Sequence, residues 1–314
     1  MSPVIQQDTW SPAKAVKPSK PTSTTTAAPI VPAKSSEDVF ILPEEAHAYI
    51  DANVQNLKTT SHVRFNASRF VGLSEEEVQD GIRQLENDFD TIPKDMFVPS
   101  DWSRFRSYSR AIVLPWERPM RVRYLPPYHD EDGNERVPYN QGVFNMDCSN
   151  VRRWYSPVSE NIRNLPLLNR MILMDVAVCD WSEDELRHPI VVGIHFVKTA
   201  PNPSWPVGIN TPNALHQDGH KFSFVHMVRR RNAAGGENIV AKPEHADKHP
   251  STIPAEDILD TFTLEEPLDG FAVYDNKCTH FAGAVYQARP GDEYTERSVF
   301  ILDVEPMIAA VCPL

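Results

Sequence analysis

The sequence predicts a mainly β chain with flanking helices, built as a barrel or jelly roll. Two observations carry that expectation. The second half contains short runs rich in β-branched and aromatic residues, among them PIVVGIHFVKT (189–199), FSFVHMV (222–228), FAVY (271–274) and RSVFILDVEP (297–306). Turn residues separate these runs, as in a sandwich or barrel. By contrast, the stretch before residue 100 carries helical periodicity, which places helices beside the sheet rather than between its strands.

Taken in order, residues 1–36 are dominated by Pro, Ser, Thr, Lys and Ala. They bury too little apolar surface to offset the entropy of ordering, so a disordered tail is expected. Residues 37–100 are expected to be a helical extension packing on the barrel. LPEEAHAYIDANVQNLK reads as one helix and LSEEEVQDGIRQLENDF as another. The second has Ser74 as N-cap with Glu77 three residues on, a capping box, and Val78, Ile82, Leu85 and Phe89 on one face. Between Trp102 and Tyr128 the chain is rich in Arg and aromatics; Arg121 and Arg123 alternate as on a strand and are candidates for binding an acidic substrate. SENIRNLPLLNRMILMDVAV reads as a helix that Pro166 interrupts or kinks. MVRRRNAAGGENIVAK reads as a strand, a turn at Gly235-Gly236 and a return strand. His195 within PIVVGIHFVKT has the character of a satisfied core histidine, and His245 and His249 that of exposed loop residues.

The 314 residues, 41% hydrophobic and 24% charged, suffice for one large core. A formal net charge of −12 opposes a broad phosphate-binding surface, so nucleic acid is not the expected partner. No run of about 20 apolar residues is present, and the N-terminus lacks the apolar segment of a secretory signal. Cys148, Cys179, Cys278 and Cys312 are scattered, as in a reducing compartment. The expected location is cytoplasmic.

The chemistry centres on His216-Gln217-Asp218-Gly219. The β-branched and aromatic residues after them read as a strand on which His216 and Asp218, two apart, share a face and reach one metal ion. His280, at another strand boundary, is the candidate third ligand. Two His and one carboxylate, with the remaining positions open, is the donor set of non-haem Fe(II) oxygenases. Arg297 begins an apolar strand and offers a planar fork for a carboxylate. His216 and His220, four apart, also permit a zinc-hydrolase reading, against which Asp218-Gly219 and the following strand argue. A binding barrel in which HxD is incidental is a further alternative.

At these residues the sequence resembles the 2-oxoglutarate/Fe(II)-dependent dioxygenases that hydroxylate free amino acids, the bacterial L-isoleucine 4-hydroxylase among them. The resemblance rests on GIHFVK, TPNALHQDG, RRNAAGG, EEPLDGFAVYDNKCTH and ERSVFILDV in that order, over roughly residues 100–305. Gln141, Asn145 and Arg153 in NQGVFNMDCSNVRRW match the family's upstream pattern. Lys198 departs from it, standing where an Arg is usual, and Asn213 stands where relatives often carry an acid. The resemblance implies a double-stranded β-helix, a jelly-roll or cupin-like barrel, as the oxygenase domain over 101–314. It also implies Fe(II) on His216, Asp218 and His280, and 2-oxoglutarate on that iron with its far carboxylate on Arg297. O2 would then be used to oxidise an unactivated C–H bond, releasing succinate and CO2. The implied substrate is a small molecule, a free amino acid or related acid, with Arg153, Gln141, Asn145, Arg121 and Arg123 as candidate contacts. Hydroxylation is the leading outcome. Oxidative cyclisation or desaturation of an amino acid in secondary metabolism, and hydroxylation of a protein side chain, are the alternatives.

Overall fold

A computed structural model describes residues 44–308, apart from 101, 145–148, 211, 290, 292 and 293. The expected tail and Asn145 lie outside the described residues. Helix α1 (Glu44–Thr60) is followed by strand β1 (His62–Asn66) and helix α2 (Glu75–Thr91). The predicted capping box is present: Ser74 Oγ accepts from the Glu77 amide, and the Glu77 carboxylate accepts from the Ser74 amide at 2.7 Å.

The remaining elements are strands β2 (Arg104–Val113), β3 (Val122–Tyr124), β4 (Tyr128–His129), β5 (Glu135–Tyr139) and β6 (Arg153–Tyr155), then helices α3 (Glu160–Arg163) and α4 (Pro166–Val178). Pro166 does not kink one helix; it separates two and occupies the first turn of α4, where its missing N–H leaves no partner unsatisfied. Strands β7 (Ile190–Thr199), β8 (Val207–Gly208), β9 (Phe222–Arg231), β10 (Ala233–Gly235), β11 (Asn238–Ala241), β12 (Ile258–Phe262), β13 (Asp269–Tyr274), β14 (Thr279–Ala282), β15 (Val285–Gln287) and β16 (Glu296–Pro306) complete the order.

A seven-stranded antiparallel sheet runs β1-β13-β9-β16-β7-β2-β3, and three-stranded sheets β12-β11-β14 and β10-β15-β8 supply the opposing layer of a double-stranded β-helix. Among the described residues the sheets are not joined by hydrogen bonds into a closed barrel. Two expectations change here. Strand β11 does not return against β9; it pairs with β12 and β14, so the Gly235-Gly236 turn carries the chain from one layer to the other. Residues 62–66 of the expected helical extension are an edge strand of the large sheet, paired with β13.

The period-2 alternation of the long strands gives the large sheet two different faces. Val192, Ile194, Phe196, Phe224, Phe300 and Leu302 face outward and are covered by Leu57, Leu85, Phe89, Met171 and Met174 of the helices. The rings of Phe89 and Phe196 stack with centroids 4.7 Å apart. The opposite face carries Val197, Val225, Met227 and Val299, which pack with Val240, Phe262, Phe271 and Cys278 of the second layer. Cys179 and Cys278 are buried free thiols. No described helix is long and apolar enough to cross a membrane. Phe89 anchors α2 through full burial, so Phe89→Ala is expected to lower unfolding free energy by about 3–5 kcal/mol. Urea unfolding followed by circular dichroism measures this as a lower midpoint.

Candidate metal centre and its cavity

His216, Asp218 and His280 converge, with one ligand-capable atom from each lying within 4.8 Å of the others. His280 sits on β14. His216 is a single bridge residue and Asp218 lies in the loop before β9, so the expected shared strand face does not exist. Their convergence has another cause. His216 and His280 exchange both backbone hydrogen bonds, at 2.9 Å each, which sets the imidazoles with centroids 4.4 Å apart. Gly219 then turns the chain at φ +83°, where a Cβ would lie 2.3 Å from the Phe144 ring.

Asp275 was not singled out from sequence, yet it fixes this loop. Its buried carboxylate accepts from the amides of Asp218 (2.9 Å) and Gly219 (2.8 Å) and lies 3.8 Å from His280 Nδ1. Gln217, turned away from the triad, donates to the carbonyls of Asp275 and Cys278. Gln141 donates to Asp218 Oδ1 at 2.9 Å, and Arg153 donates to Gln141 Oε1 at 3.1 Å. Arg153 therefore reaches the triad through Gln141. Its guanidinium lies over the rings of Tyr139 and Tyr155.

Electrostatics agree with a metal-binding arrangement. Burial pushes Asp218 up, but the imidazoles of His280 and His216 more than offset it, and the carboxyl lies far below its ordinary range. Burial and then the neighbouring His280 push His216 down to about 4. Burial lowers His280, and Asp218 at 3.2 Å reverses the effect and raises it. Burial and the Asp218 charge push Asp275 up to about 6.

The triad opens on a cavity of about 100 Å³ that Arg297 also lines. Arg297 is buried, and burial and then the adjacent Arg230 lower its guanidinium to about 10. Among the described residues no carboxylate lies within ion-pair distance of it. It donates to Asn238 Oδ1 at 3.4 Å, and its Nε, like Asn238 Nδ2, is buried without a partner. A buried cation in this state favours an anionic ligand strongly. Two imidazoles and a carboxylate facing such a cation fit Fe(II) with a chelating dicarboxylate.

The other candidates fall elsewhere. Arg121 is exposed and Arg123 is ion-paired with Glu117 at 2.5 Å; neither lines the cavity, because β3 is the outer strand of the sheet beyond β2. Arg104 and Arg106 of β2 line it instead, from the same arginine-rich stretch, and the alternation in RFRSYSR was the available signal. His195 is a satisfied core histidine, with Nδ1 accepting from Arg106 at 2.7 Å and Nε2 meeting Asp303 at 2.8 Å. His220 meets Asp303 and Glu305, apart from the triad, and His226 is buried against Asp175 on the outer face. His245 is buried against Asp257 rather than exposed, whereas His249 is exposed.

A double-stranded β-helix that brings two imidazoles and a carboxylate together has the donor set of an iron-dependent oxygenase. The chain belongs to the 2OG-Fe dioxygenase family, whose model matches residues 86–303. It is accordingly an enzyme that uses Fe(II), 2-oxoglutarate and O2. No curated protein matches the sequence. Among solved structures, the fold is similar to IDO from Bacillus thuringiensis, with a TM-score of 0.58 and 15% identity over 82% of this chain and 99% of that one. It is also similar to a bsmA homologue from Methylobium petroleophilum PM1, with a TM-score of 0.62 and 16% identity over 83% and 96%. A third is the Fe(II)/(alpha)ketoglutarate-dependent dioxygenase TqaL, with a TM-score of 0.61 and 11% identity over 85% and 90%.

Two measurements follow from this geometry. Asp275→Asn places an amide opposite two backbone donors, and should weaken Fe(II) binding by about 10–100-fold, read by equilibrium titration. Iron needs both imidazoles neutral, while Asp218 favours the protonated form of His280 in the metal-free protein. Affinity for Fe(II) is therefore expected to fall as pH drops from about 8 to about 6, with proton release on binding measured by calorimetry in buffers of different ionisation enthalpy.

Proposed function

We propose that this dioxygenase oxidises an unactivated C–H bond of a small free amino acid or a related acid, with hydroxylation as the outcome. His216, Asp218 and His280 hold the iron, and Arg297 binds the far carboxylate of 2-oxoglutarate. The observation that carries the cosubstrate assignment is Arg297 itself, a buried guanidinium with no carboxylate partner among the described residues, opening on the same cavity as the triad. When bound, iron and 2-oxoglutarate together activate O2 for C–H oxidation and release succinate and CO2.

The protein's own contribution is placement. Asp275 and the His216–His280 bridge hold the ligands, and Gln141, itself held by Arg153, fixes one carboxylate oxygen of Asp218. Val197, Val299, Ile301 and Phe271 supply an apolar lining that limits water around the reacting carbon. The three ligand side chains are only 11–15% exposed, which favours a small molecule over a folded protein substrate. The motif resemblance to free amino-acid hydroxylases supports the amino-acid reading.

Anaerobic addition of Fe(II) and 2-oxoglutarate should give the metal-to-ligand charge-transfer band, absent in His216→Ala. Arg297→Gln should keep iron binding but raise the 2-oxoglutarate dissociation constant by about tenfold or more, since a buried charge-assisted pair is lost. A screen of amino acids for succinate release tests the substrate. A protein that binds both ligands yet couples to no amino acid or related acid contradicts that part of the reading.

A further inference from the structure

The interior face of the large sheet continues beyond the catalytic cavity. Register across β2, β7 and β16 aligns inward side chains in rows: Arg104, Thr199 and Arg297; Arg106, Val197 and Val299; Tyr108, His195 and Ile301; Arg110, Gly193 and Asp303. The first row holds the Arg297 anchor. The last lies six residues along each strand, about 20 Å away at about 3.3 Å per residue. There a second cavity of about 430 Å³ opens, lined by Arg110, Gly193, Asp303 and Glu305 together with Tyr128 and Trp154. Tyr139 and Asp303 line both cavities, so the two spaces adjoin at these side chains. The stacked rings of Tyr108 and His195, with Tyr139 edge-on to His195, border that junction.

The second space is the roomier, about 430 Å³ against about 100 Å³ around the triad. Apart from Arg297, the cations of the first cavity are committed internally. Arg104 pairs with Asp95 at 3.5 Å, and Arg106 is bonded to His195 and lies over Tyr139 and Tyr155. Arg110 differs. It has no ion-pair partner among the described residues, and its Nε is buried without a hydrogen bond. Beside it Gly193 is closely packed: a Cβ there would lie 3.2 Å from the Tyr108 hydroxyl and 3.4 Å from Asp303 Cβ.

Resting on the function proposed above, we infer that the primary substrate binds in this second cavity. Its carboxylate is held by Arg110, with Arg152 at the rim, and its side chain passes Tyr139 and Asp303 toward the iron. The T-shaped Tyr128–Trp154 pair forms the outer wall. The cavity thus recognises an organic carboxylate whose reacting carbon lies several bonds from the acid group.

The test uses the full chain loaded anaerobically with Fe(II) and 2-oxoglutarate, with the twenty L-amino acids and their amides as probes. The charge-transfer band reports cosubstrate binding, and succinate release in air reports coupling. For an amino acid that couples, Arg110→Gln should raise its KM by about tenfold or more, while 2-oxoglutarate affinity stays within about twofold, as expected for a residue outside the anchor. The amide of the same amino acid should fail in the wild type. Arg110→Lys, which keeps the charge but loses the planar fork, should raise KM less than Arg110→Gln does and leave the band unaltered. An unchanged KM in both variants overturns this inference alone. A normal band with no response to any amino acid overturns the amino-acid reading and this inference with it.

Discussion

The site depends on a single isolated bridge between His216 and His280. Outside regular pairing, the two residues exchange both backbone hydrogen bonds, so a loop residue acquires the fixed position of a strand residue. Everything else at the candidate metal centre elaborates that contact. Asp275 accepts the next two amides of the loop, and Gly219 supplies the left-handed turn that returns the chain to β9. Without the bridge, His216 and Asp218 would ride on a flexible connection, and the ligand set would lose the preorganisation on which metal affinity and orientation rest.

The fold earns this precision by dividing its labour between two faces of one sheet. The outward face is apolar and sealed by α1, α2 and α4, which accounts for most of the large buried side chains. That frees the inward face to carry polar rows, including arginines and acids that would be costly in a core without partners. Most are satisfied inside the molecule: Arg104 by Asp95, Arg106 by His195, His195 by Asp303. Arg297 stands apart as a buried cation with no carboxylate within ion-pair distance among the described residues, and its lowered pKa records the same cost of desolvation.

Sequence reasoning went furthest where the physics is local. The capping box of α2, its apolar stripe and the long strands β7, β9 and β16 follow from spacing alone. It failed where partners are distant in sequence. Arg121 and Arg123 alternate as convincingly as Arg104 and Arg106, and only the position of β3 outside β2 separates them. His245 has the look of an exposed loop residue until Asp257, twelve positions on, is seen to cover it.

What the sequence by itself determined was the chemistry on offer: two imidazoles, a carboxylate and an arginine, in the order shared with a known enzyme family. That information is carried by residue identity and by motif order along the chain. The tertiary structure decided which of these groups meet and why. It replaced the supposed strand face of HxD with a bridge to β14, brought in Asp275 from 57 residues beyond Asp218, and aligned the inward rows of three strands into two adjoining cavities. Those are consequences of register between strands remote in sequence, and a one-residue slip would turn every inward group outward.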